Sequence, residues 1–285
     1  MKPEFFDAHG HLNFVAYDND REEVIKRTLE SGVFVNCVGT QKETSKNAVD
    51  LAHKFGNGFY ATIGLHPIHT GKSFHDEKEL GEGGVEFTSR GEVFDYDYYR
   101  DLAKDEKVIA IGECGLDFFR LDEESSSKKQ KEAFNEQIEL AKEVSKPLML
   151  HIRNGSDVSA YNEAYDVLKH HIKANSNLIG DLHFFAGSIE EARPFLDAGF
   201  YFSFTGVVTF ARNYDEVIKF LPIDRILSET DCPYVTPHPY RGKRNEPIYV
   251  KEVVKKIAEI KGESFLKTKE ILLKNAETFF KIKSW

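Results

Sequence analysis

Six side chains of the types that ligate metal ions each lie at the C-terminal end of a short apolar run. Residues two apart on a strand face the same side, so His9 and His11 can bind one ion together. The others recur at steps of about one strand plus one helix, as expected for side chains that converge on one end of a parallel barrel. The six candidates are His9, His11, Glu113, His151, His183 and Asp231.

Eight apolar runs of strand length predict the fold class. They alternate with charged, amphipathic stretches of helical length, and alternating strands and helices imply a parallel sheet with crossover helices. A chain of 285 residues also suits a barrel, which typically takes about 250. We therefore predict an α/β fold, a TIM-type (β/α)8 barrel that forms a single domain over 1–285. The predicted strands are 5–9, 34–38, 59–64, 108–113, 147–151, 180–184, 200–204 and 226–229.

The intervening stretches predict the helices of the barrel. Capping signals support them, for example the sequence SIEE at 188–191 before one helical pattern, and glycines after others. The segment at about 70–101 lacks clean periodicity, and we interpret it as an elaborated loop and helix insertion. It either shapes substrate access beside the active face or is a solvated insertion. The predicted helices are 20–31, 44–55, 127–144, 157–173, 188–198, 247–260 and 262–281.

Charge and cysteine content narrow the function classes. A net charge of −9 does not suit a protein that holds nucleic acid by broad electrostatic attraction, so a phosphate substrate must be held locally. Three cysteines without a C-x-x-C spacing indicate reduced, buried thiols. Without an apolar run of about 18 residues or a signal peptide, we expect a cytoplasmic protein with no membrane partner and no obligate protein partner.

The ligand set predicts two divalent cations. Imidazole and carboxylate suit zinc, manganese or magnesium, and six ligands exceed what one tetrahedral ion requires. Glu113 is the natural bridge, because Gly112 and Gly115 leave room for close approach. A lone histidine in a buried strand is more often a hydrogen-bonded core residue. Several unpaired polar groups on inward positions are costly unless they share a purpose, which favours the metal interpretation.

Groups suited to phosphate lie beside the predicted ligands. His66 stands at the mouth of the third strand, where it could contact substrate or position a water, and Arg153 follows a ligand histidine by two residues. A basic loop follows the eighth strand, a common location for phosphate recognition in barrels, although a charged loop is usually only solvated surface. The predicted substrate-binding residues are His66, Arg153, Arg241, Lys243, Arg244 and Asn245.

Two carboxylates are the predicted catalytic residues. Asp231 can be a ligand and also accept a proton from the nucleophilic water, while Glu113 bridges the metals. Glu229 faces the same way as Asp231 and is expected to orient a ligand histidine from behind.

Taken together, these segments resemble the TatD family of metal-dependent deoxyribonucleases, within the amidohydrolase superfamily. The motifs that carry the resemblance are DAHGH at 7–11, GLHP at 64–67, IGECGLD at 111–117, HIR at 151–153, ETDCP at 229–233 and YRGKRNEP at 240–247. The last is quite specific to the family, whereas His-x-His is shared across the superfamily. The match runs nearly end to end.

The resemblance implies a TIM barrel, two divalent ions and hydrolysis of DNA phosphodiesters, often from a 3′ end. It implies that His9, His11 and Asp231 hold one ion, that His151 and His183 hold the other, and that Glu113 bridges. The chain reads HFFAG at 183–187, where relatives often have a cysteine and a serine. That change leaves the ligand in place, whereas the long segment at 70–101 puts substrate choice in doubt.

Three hypotheses follow. The leading one is a 3′-5′ exonuclease that acts on single-stranded or end-frayed DNA through attack of a metal-bound hydroxide. A second keeps the metals but changes the bond to an ester or amide, such as an aminoacyl-tRNA linkage, and the acidic surface is compatible with a small or locally held substrate. A third, a non-catalytic scaffold, has no need of all six ligands.

Overall fold

Eight parallel strands form the main sheet of the computed structural model, which describes residues 2–71, 74–75, 87–88, 91–119, 124–174 and 177–282. Along the chain, two short strands that form a separate antiparallel pair come between the third and fourth strands of that sheet. The strands are β1 (Phe5–Gly10), β2 (Val33–Val38), β3 (Phe59–Ile63), β4 (Phe74–His75), β5 (Phe87–Thr88), β6 (Val108–Asp117), β7 (Leu148–Arg153), β8 (Gly180–His183), β9 (Tyr201–Phe204) and β10 (Ile226–Ser228).

The order of the main sheet is β1-β2-β3-β6-β7-β8-β9-β10, and every neighbouring pair is parallel. The sheet closes on itself beyond β10. There the His11 amide donates to Cys232 O at 2.8 Å, and the Asp231 amide donates to His9 O at 2.9 Å. The predicted (β/α)8 barrel is therefore confirmed, and the carboxyl ends of all eight strands meet at one face.

Helices connect the strands and cover the outside of the barrel. The helix at Asp215–Phe220 was not among the predicted helices, and the helix predicted to begin at 157 begins at Ala160. The predicted capping box is present, because the side chains of Ser188 and Glu191 each accept from the other residue's amide. The helices are α1 (Arg21–Glu30), α2 (Lys42–Phe55), α3 (Tyr96–Leu102), α4 (Glu124–Val144), α5 (Ala160–Ala174), α6 (Ile189–Asp197), α7 (Asp215–Phe220), α8 (Val250–Lys261) and α9 (Phe265–Phe279).

Two apolar clusters form the core. The larger lies between the strands and the surrounding helices. The smaller consists of strand residues such as Phe6 and Met149 together with Phe279 and Phe280 at the end of α9. Ring centres of Phe6 and Phe280 are 5.3 Å apart, and those of Tyr201 and Phe279 are 5.1 Å apart. The smaller cluster therefore fills the barrel interior and is closed by α9.

An irregularity in β6 places Glu113 at the mouth of the barrel. Gly112 pairs with Met149 and Cys114 pairs with the next residue of β7, so Glu113 is an extra residue in the ladder. Such bulges re-aim a side chain. A Cβ at Gly112 would lie 2.3 Å from Met149 O, and one at Gly115 would lie 2.2 Å from His151 O. The two glycines thus permit the close approach of β6 to β7.

The predicted insertion at about 70–101 is described only in part. It contains the β4/β5 pair and helix α3, while 72–73, 76–86 and 89–90 lie outside the described residues. The helix of this segment agrees with the prediction. Its role, like the single-domain interpretation of 1–285, stays a prediction. Among the helices that the structure describes, none combines the length and the apolar content needed to cross a bilayer.

Replacing Gly115 by alanine tests the contact between β6 and β7. Gly115 has φ +138° and no space for a side chain, so we expect Gly115→Ala to lower the free energy of unfolding by at least about 2 kcal/mol. Urea denaturation followed by circular dichroism measures the change. Gly71→Ala is the control, because a Cβ at Gly71 meets nothing within 4 Å. Equal stability of the two variants would contradict the packing argument.

Candidate metal centre

Five of the six predicted ligands lie close together at the mouth of the barrel. His9 Nε2 lies 3.1 Å from His11 Nε2 and 3.4 Å from Glu113 Oε2. His11 Nε2 lies 3.4 Å from Asp231 Oδ1. His183 Nε2 lies 3.6 Å from Glu113 Oε1 and 3.9 Å from Asp231 Oδ1. The side chains come from β1, β6, β8 and the segment after β10, so barrel closure assembles them.

In two of these histidines, Nδ1 faces a partner behind the ring, so that Nε2 faces the other candidate ligands. His11 Nδ1 lies 3.0 Å from Val38 O, and a carbonyl can only accept, so the proton sits on Nδ1. His183 Nδ1 lies 2.9 Å from the carboxylate of Glu229, which is fully buried. In His11 this arrangement leaves the Nε2 lone pair available for a cation. Glu229 occupies the position predicted for a residue that orients a ligand histidine.

The sixth predicted ligand, His151, lies between two carboxylates. Its Nδ1 is 3.0 Å from Glu113 Oε1, and its Nε2 is 2.7 Å from Asp117 Oδ2. Burial lowers the pKa of His151, but the bonds to Asp117 and Glu113 outweigh it and raise the pKa to about 9. His151 therefore contacts Glu113, as other histidines of the cluster do, but it also contacts a second carboxylate, that of Asp117.

Asp117 is a site residue that the sequence reasoning missed. It is 5% exposed, and its Oδ1 accepts a 3.0 Å hydrogen bond from the Phe119 amide. Gln130 exchanges two 2.9 Å hydrogen bonds with its main chain, which fixes its position. The predicted strand ended at Glu113, whereas β6 continues to Asp117. The available signal was Asp117 itself, the last residue of the motif at 111–117.

His66 lies in the same cluster, but its proton and its lone pair are on the opposite ring nitrogens from those of His11. The Ile68 amide donates to His66 Nδ1 at 3.1 Å, so a neutral imidazole carries its proton on Nε2. That Nε2 is 3.3 Å from Glu113 Oε1. Burial, with the positive field of His151, lowers the pKa of His66 to about 4. Although atoms of His66, Glu113 and His151 lie within 4.8 Å of one another, this tautomer makes His66 a hydrogen-bond donor.

The two buried carboxylates are held in the ionised form. Burial raises the pKa of Glu113, but the surrounding histidines outweigh it and bring the pKa well below its usual range. Burial also raises the pKa of Asp231, and the bond from His11 with the charges of the neighbouring histidines lowers it below the ordinary value. Both carboxylates therefore present negative charge to the point where the histidines converge.

The donor set fits divalent cations. Ligands about 2.1 Å from a tetrahedral ion are about 3.4 Å apart, and the distances between the ring nitrogens and carboxylate oxygens of His9, His11, Glu113 and Asp231 run from 3.1 to 3.9 Å. Within the part of the chain that the structure describes, no lysine or arginine forms an ion pair with either carboxylate. Buried carboxylates without a fixed cation favour a bound one. In two groups of three residues, one ligand-type atom of each residue lies within 4.8 Å of the others. The groups are His9, Glu113 and His183, and His9, His11 and Asp231.

The backbone around Asp231 is fixed by β1. Asp231 has φ +53°, a left-handed conformation that aspartate tolerates better than most residues. The buried carboxylate of Asp7 accepts from the Thr230 amide at 2.8 Å and from its hydroxyl at 2.6 Å. These bonds, which sequence reasoning also missed, hold the Asp231 segment against the strand that carries His9.

Three of the predicted substrate-binding residues lie at the rim of the mouth. The Arg153 guanidinium is 3.7 Å from the ring centre of Phe119, and the Arg241 guanidinium is 4.1 Å from that of Phe210. Lys243 is exposed in the same loop as Arg241. These cations are placed where an anionic substrate could reach them.

Arg244 and Asn245 are placed differently from the prediction. Arg244 donates to both carboxylate oxygens of Asp20, at 2.8 and 2.6 Å. Asn245 is fully buried, and its amide donates to Thr230 O at 2.9 Å and Tyr234 O at 2.6 Å. These bonds tie the loop to α1 and to its own base. The geometry therefore argues against substrate contact by Asn245 and Arg244 and favours a structural role.

Comparisons with known proteins agree with this geometry. The sequence profile of the family described as TatD related DNase matches residues 6–281. An uncharacterised metal-dependent hydrolase of Bacillus subtilis, YabD, is 39% identical over 280 residues, which cover 97% of this chain and 99% of that protein. A Cronobacter sakazakii protein named 3′-5′ ssDNA/RNA exonuclease TatD is 32% identical over 266 residues, covering 90% of each chain.

The fold comparison gives a solved relative of the same extent. The crystal structure of YjjV, a TatD homologue of Escherichia coli K12, superposes with a TM-score of 0.80 at 26% identity and covers 99% of this chain and 100% of that one. The likeness spans the whole barrel, including the strands that carry the six ligand-type residues.

The carboxylate of Asp117 is expected to orient His151. We predict that Asp117→Asn weakens binding of zinc or manganese about 10- to 100-fold, because an amide cannot hold the imidazole as a carboxylate does. Isothermal titration of the metal-stripped protein measures the affinity. Asp105→Asn is the matched control, since Asp105 pairs with His53 at 2.8 Å on the outside of the barrel. Unchanged affinity in Asp117→Asn would show that His151 needs no orienting partner.

The structural role of Asn245 leads to a separate prediction. Asn245→Ala leaves two buried carbonyls without a donor, so we expect the free energy of unfolding to fall by about 2 to 4 kcal/mol, with KM unchanged within about twofold. Thermal and urea denaturation test the first point, and steady-state kinetics test the second. Asn47→Ala, at an exposed position, is the control. A raised KM at unchanged stability would restore the substrate-binding interpretation.

Proposed function

The chain belongs to the family of TatD-related DNases, and from that premise we propose that it hydrolyses DNA phosphodiester bonds as a 3′-5′ exonuclease. Membership makes it a metal-dependent hydrolase. The observation that carries the finer proposal is the cluster of His9, His11, His151 and His183 with Glu113 and Asp231 at the barrel mouth. The similarity to a protein named 3′-5′ ssDNA/RNA exonuclease supports the choice of bond and direction.

The proposal assigns the ligands in two groups. His9, His11 and Asp231 would hold one cation, His151 and His183 would hold the other, and Glu113 would be available to both. The shared position is supported by the distances from Glu113 oxygens to histidine nitrogens, which run from 3.0 to 3.8 Å. When bound, the two cations acidify a water molecule and neutralise charge on the phosphodiester oxygens.

Asp231 is the proposed proton acceptor. Its side chain is 12% exposed, more than that of Glu113 at 4%, so it reaches the mouth where water enters. The neighbouring histidines keep its pKa low, and it is therefore ionised when a proton must be taken up. Water adds to phosphorus, one phosphorus–oxygen bond breaks, and the leaving oxygen takes a proton from solvent.

Three cations and one neutral donor are proposed to hold the phosphate. Arg153 and Arg241 lie at the rim, and exposed Lys243 lies near Arg241. His66 directs its Nε2 proton toward the cluster and can donate it to a phosphate oxygen. Planar guanidinium groups suit phosphate oxygens, which is why arginine is favoured at such sites.

The depth of the cluster favours an unpaired strand. Glu113 is 3% exposed and Asp231 is 9% exposed, so the bond to be cleaved must enter a recess. A single strand or a frayed end can bend into such a recess more easily than a stiff duplex.

The three cysteines are buried and unpaired, which is typical of a reducing compartment and supports a cytoplasmic location.

Metal removal and a ligand substitution test the proposal together. Protein stripped with a chelator is expected to release no nucleotides from a 5′-labelled single strand, and added zinc, manganese or magnesium is expected to restore release. Glu113→Gln should lower kcat/KM at least about a hundredfold, because the shared carboxylate is lost. Glu22→Gln, which changes an exposed side chain, is the control.

The substrate panel separates this proposal from its alternative. It contains DNA and RNA single strands, each with a free or blocked 3′ end, a duplex, and an aminoacyl ester. Cleavage of the ester without cleavage of any nucleic acid would replace the nuclease by an ester hydrolase of the same superfamily. Equal activity of Glu113→Gln and the parent would contradict both.

A further inference from the structure

The exposed apolar side chains of this protein concentrate at the face that carries the metal centre. Of the six large apolar side chains that are exposed in the described part of the chain, five lie in connections that follow carboxyl ends of barrel strands. Two of these five are aromatic, Phe119 and Phe210, and they are 43% and 37% exposed. Exposed aromatic rings at an active face call for an explanation other than packing.

The first ring, Phe119, is connected to the candidate metal centre by hydrogen bonds through Asp117 and His151. Phe119 follows β6, and its amide donates to the Asp117 carboxylate that contacts His151. Arg153, the last residue of β7, places its guanidinium 3.7 Å from the centre of the Phe119 ring. Ring and guanidinium thus lie in close contact at the carboxyl ends of β6 and β7.

The second ring forms a similar pair at the Asp231 side. Phe210 follows β9, and the guanidinium of Arg241, from the loop after β10, lies 4.1 Å from its ring centre. Arg241 also donates to Thr236 O at 3.0 Å, which holds its side chain in place. The His238 ring meets the edge of Phe210 with centres 6.0 Å apart.

The two pairs lie on either side of strand β8 in the sheet. In the sheet, β8 separates β7 from β9, and β8 carries His183. One pair therefore rises over β6 and β7, the other over β9 and β10, with a ligand histidine between them. Aromatic rings and guanidinium planes stack on any nucleobase, and the guanidinium charge also attracts phosphate. Bases inside a duplex are covered by their neighbours and cannot stack in this way.

We propose that the Phe119–Arg153 pair and the Phe210–Arg241 pair are two nucleotide subsites, one on each side of the bond to be cleaved. Each pair stacks an unpaired base and neutralises the adjacent phosphate. Together they select single-stranded over double-stranded nucleic acid. This inference rests on the proposed nuclease function but adds the residues that set its substrate preference.

Leucine and tryptophan substitutions at the two rings test the subsites. Phe119→Leu and Phe210→Leu retain apolar bulk but remove the aromatic face, and each is expected to raise KM for a single-stranded oligonucleotide about tenfold. Phe119→Trp and Phe210→Trp should restore KM to the parent value or below. Val158→Ala, which changes an exposed apolar residue of the same face, is the matched control. Melting temperatures verify that each variant is folded.

An abasic oligonucleotide isolates the contribution of the bases. It has the same phosphodiester backbone but lacks bases at its three 3′-terminal positions. The penalty of the leucine variants is expected to shrink below about twofold on this substrate, and the parent's preference for a single strand over a duplex is expected to decrease in the double leucine variant. A penalty of equal size with and without bases overturns the subsites, even if hydrolysis itself is intact.

Binding measured without turnover separates this inference from the nuclease proposal. Fluorescence anisotropy in the presence of a chelator reports affinity for the base-bearing and abasic strands. If the parent hydrolyses no nucleic acid, yet binds the base-bearing strand about tenfold more tightly than the double leucine variant does, the subsites stand and the nuclease proposal fails. If binding is the same in parent and variant, the subsites are overturned, whatever the activity.

Discussion

The buried charge of Glu113 is the constraint on which the rest of the site depends. Its carboxylate is 3% exposed, and four histidines place a ring nitrogen within 3.0 to 3.6 Å of it. A buried carboxylate without lysine or arginine partners is costly unless cations or polarised imidazoles compensate. The bulge in β6 turns this side chain into the mouth, and Gly112 and Gly115 let β6 lie against β7. Barrel geometry then supplies the histidines from four other loops or strands.

Hydrogen bonds behind the histidines divide them by function. His11 donates a hydrogen bond from Nδ1 to a carbonyl and has a lone pair on Nε2. His66 accepts a hydrogen bond from an amide at Nδ1 and has its proton on Nε2. The two rings lie in one cluster, but only the first is prepared to ligate a cation. A ring that presents a proton is suited to an anion. The main chain around each ring therefore determines which of these two histidines presents a lone pair and which presents a proton.

The sequence was sufficient to predict the barrel and the convergence of the ligand side chains, because period and spacing are local properties that parallel topology converts into proximity. It was not sufficient to predict Asp117, because the extension of β6 beyond Glu113 depends on pairing with β7. Nor did it predict the placement of Asn245. A polar residue in a basic loop resembles a substrate contact until the fold shows that its amide satisfies two buried carbonyls.

The overall charge of −9 determines how such a site must bind a polyanion. Long-range attraction cannot contribute much, because the field of the whole protein opposes the approach of phosphates. Under the proposed function, affinity would therefore come from short-range contacts at the mouth: bound cations, Arg153 and Arg241, and stacking on exposed rings. Stacking on a ring is worth about 1–3 kcal/mol per base and does not depend on which base is bound. An acidic barrel that pairs each rim arginine with an aromatic ring thus has a physical reason to do so.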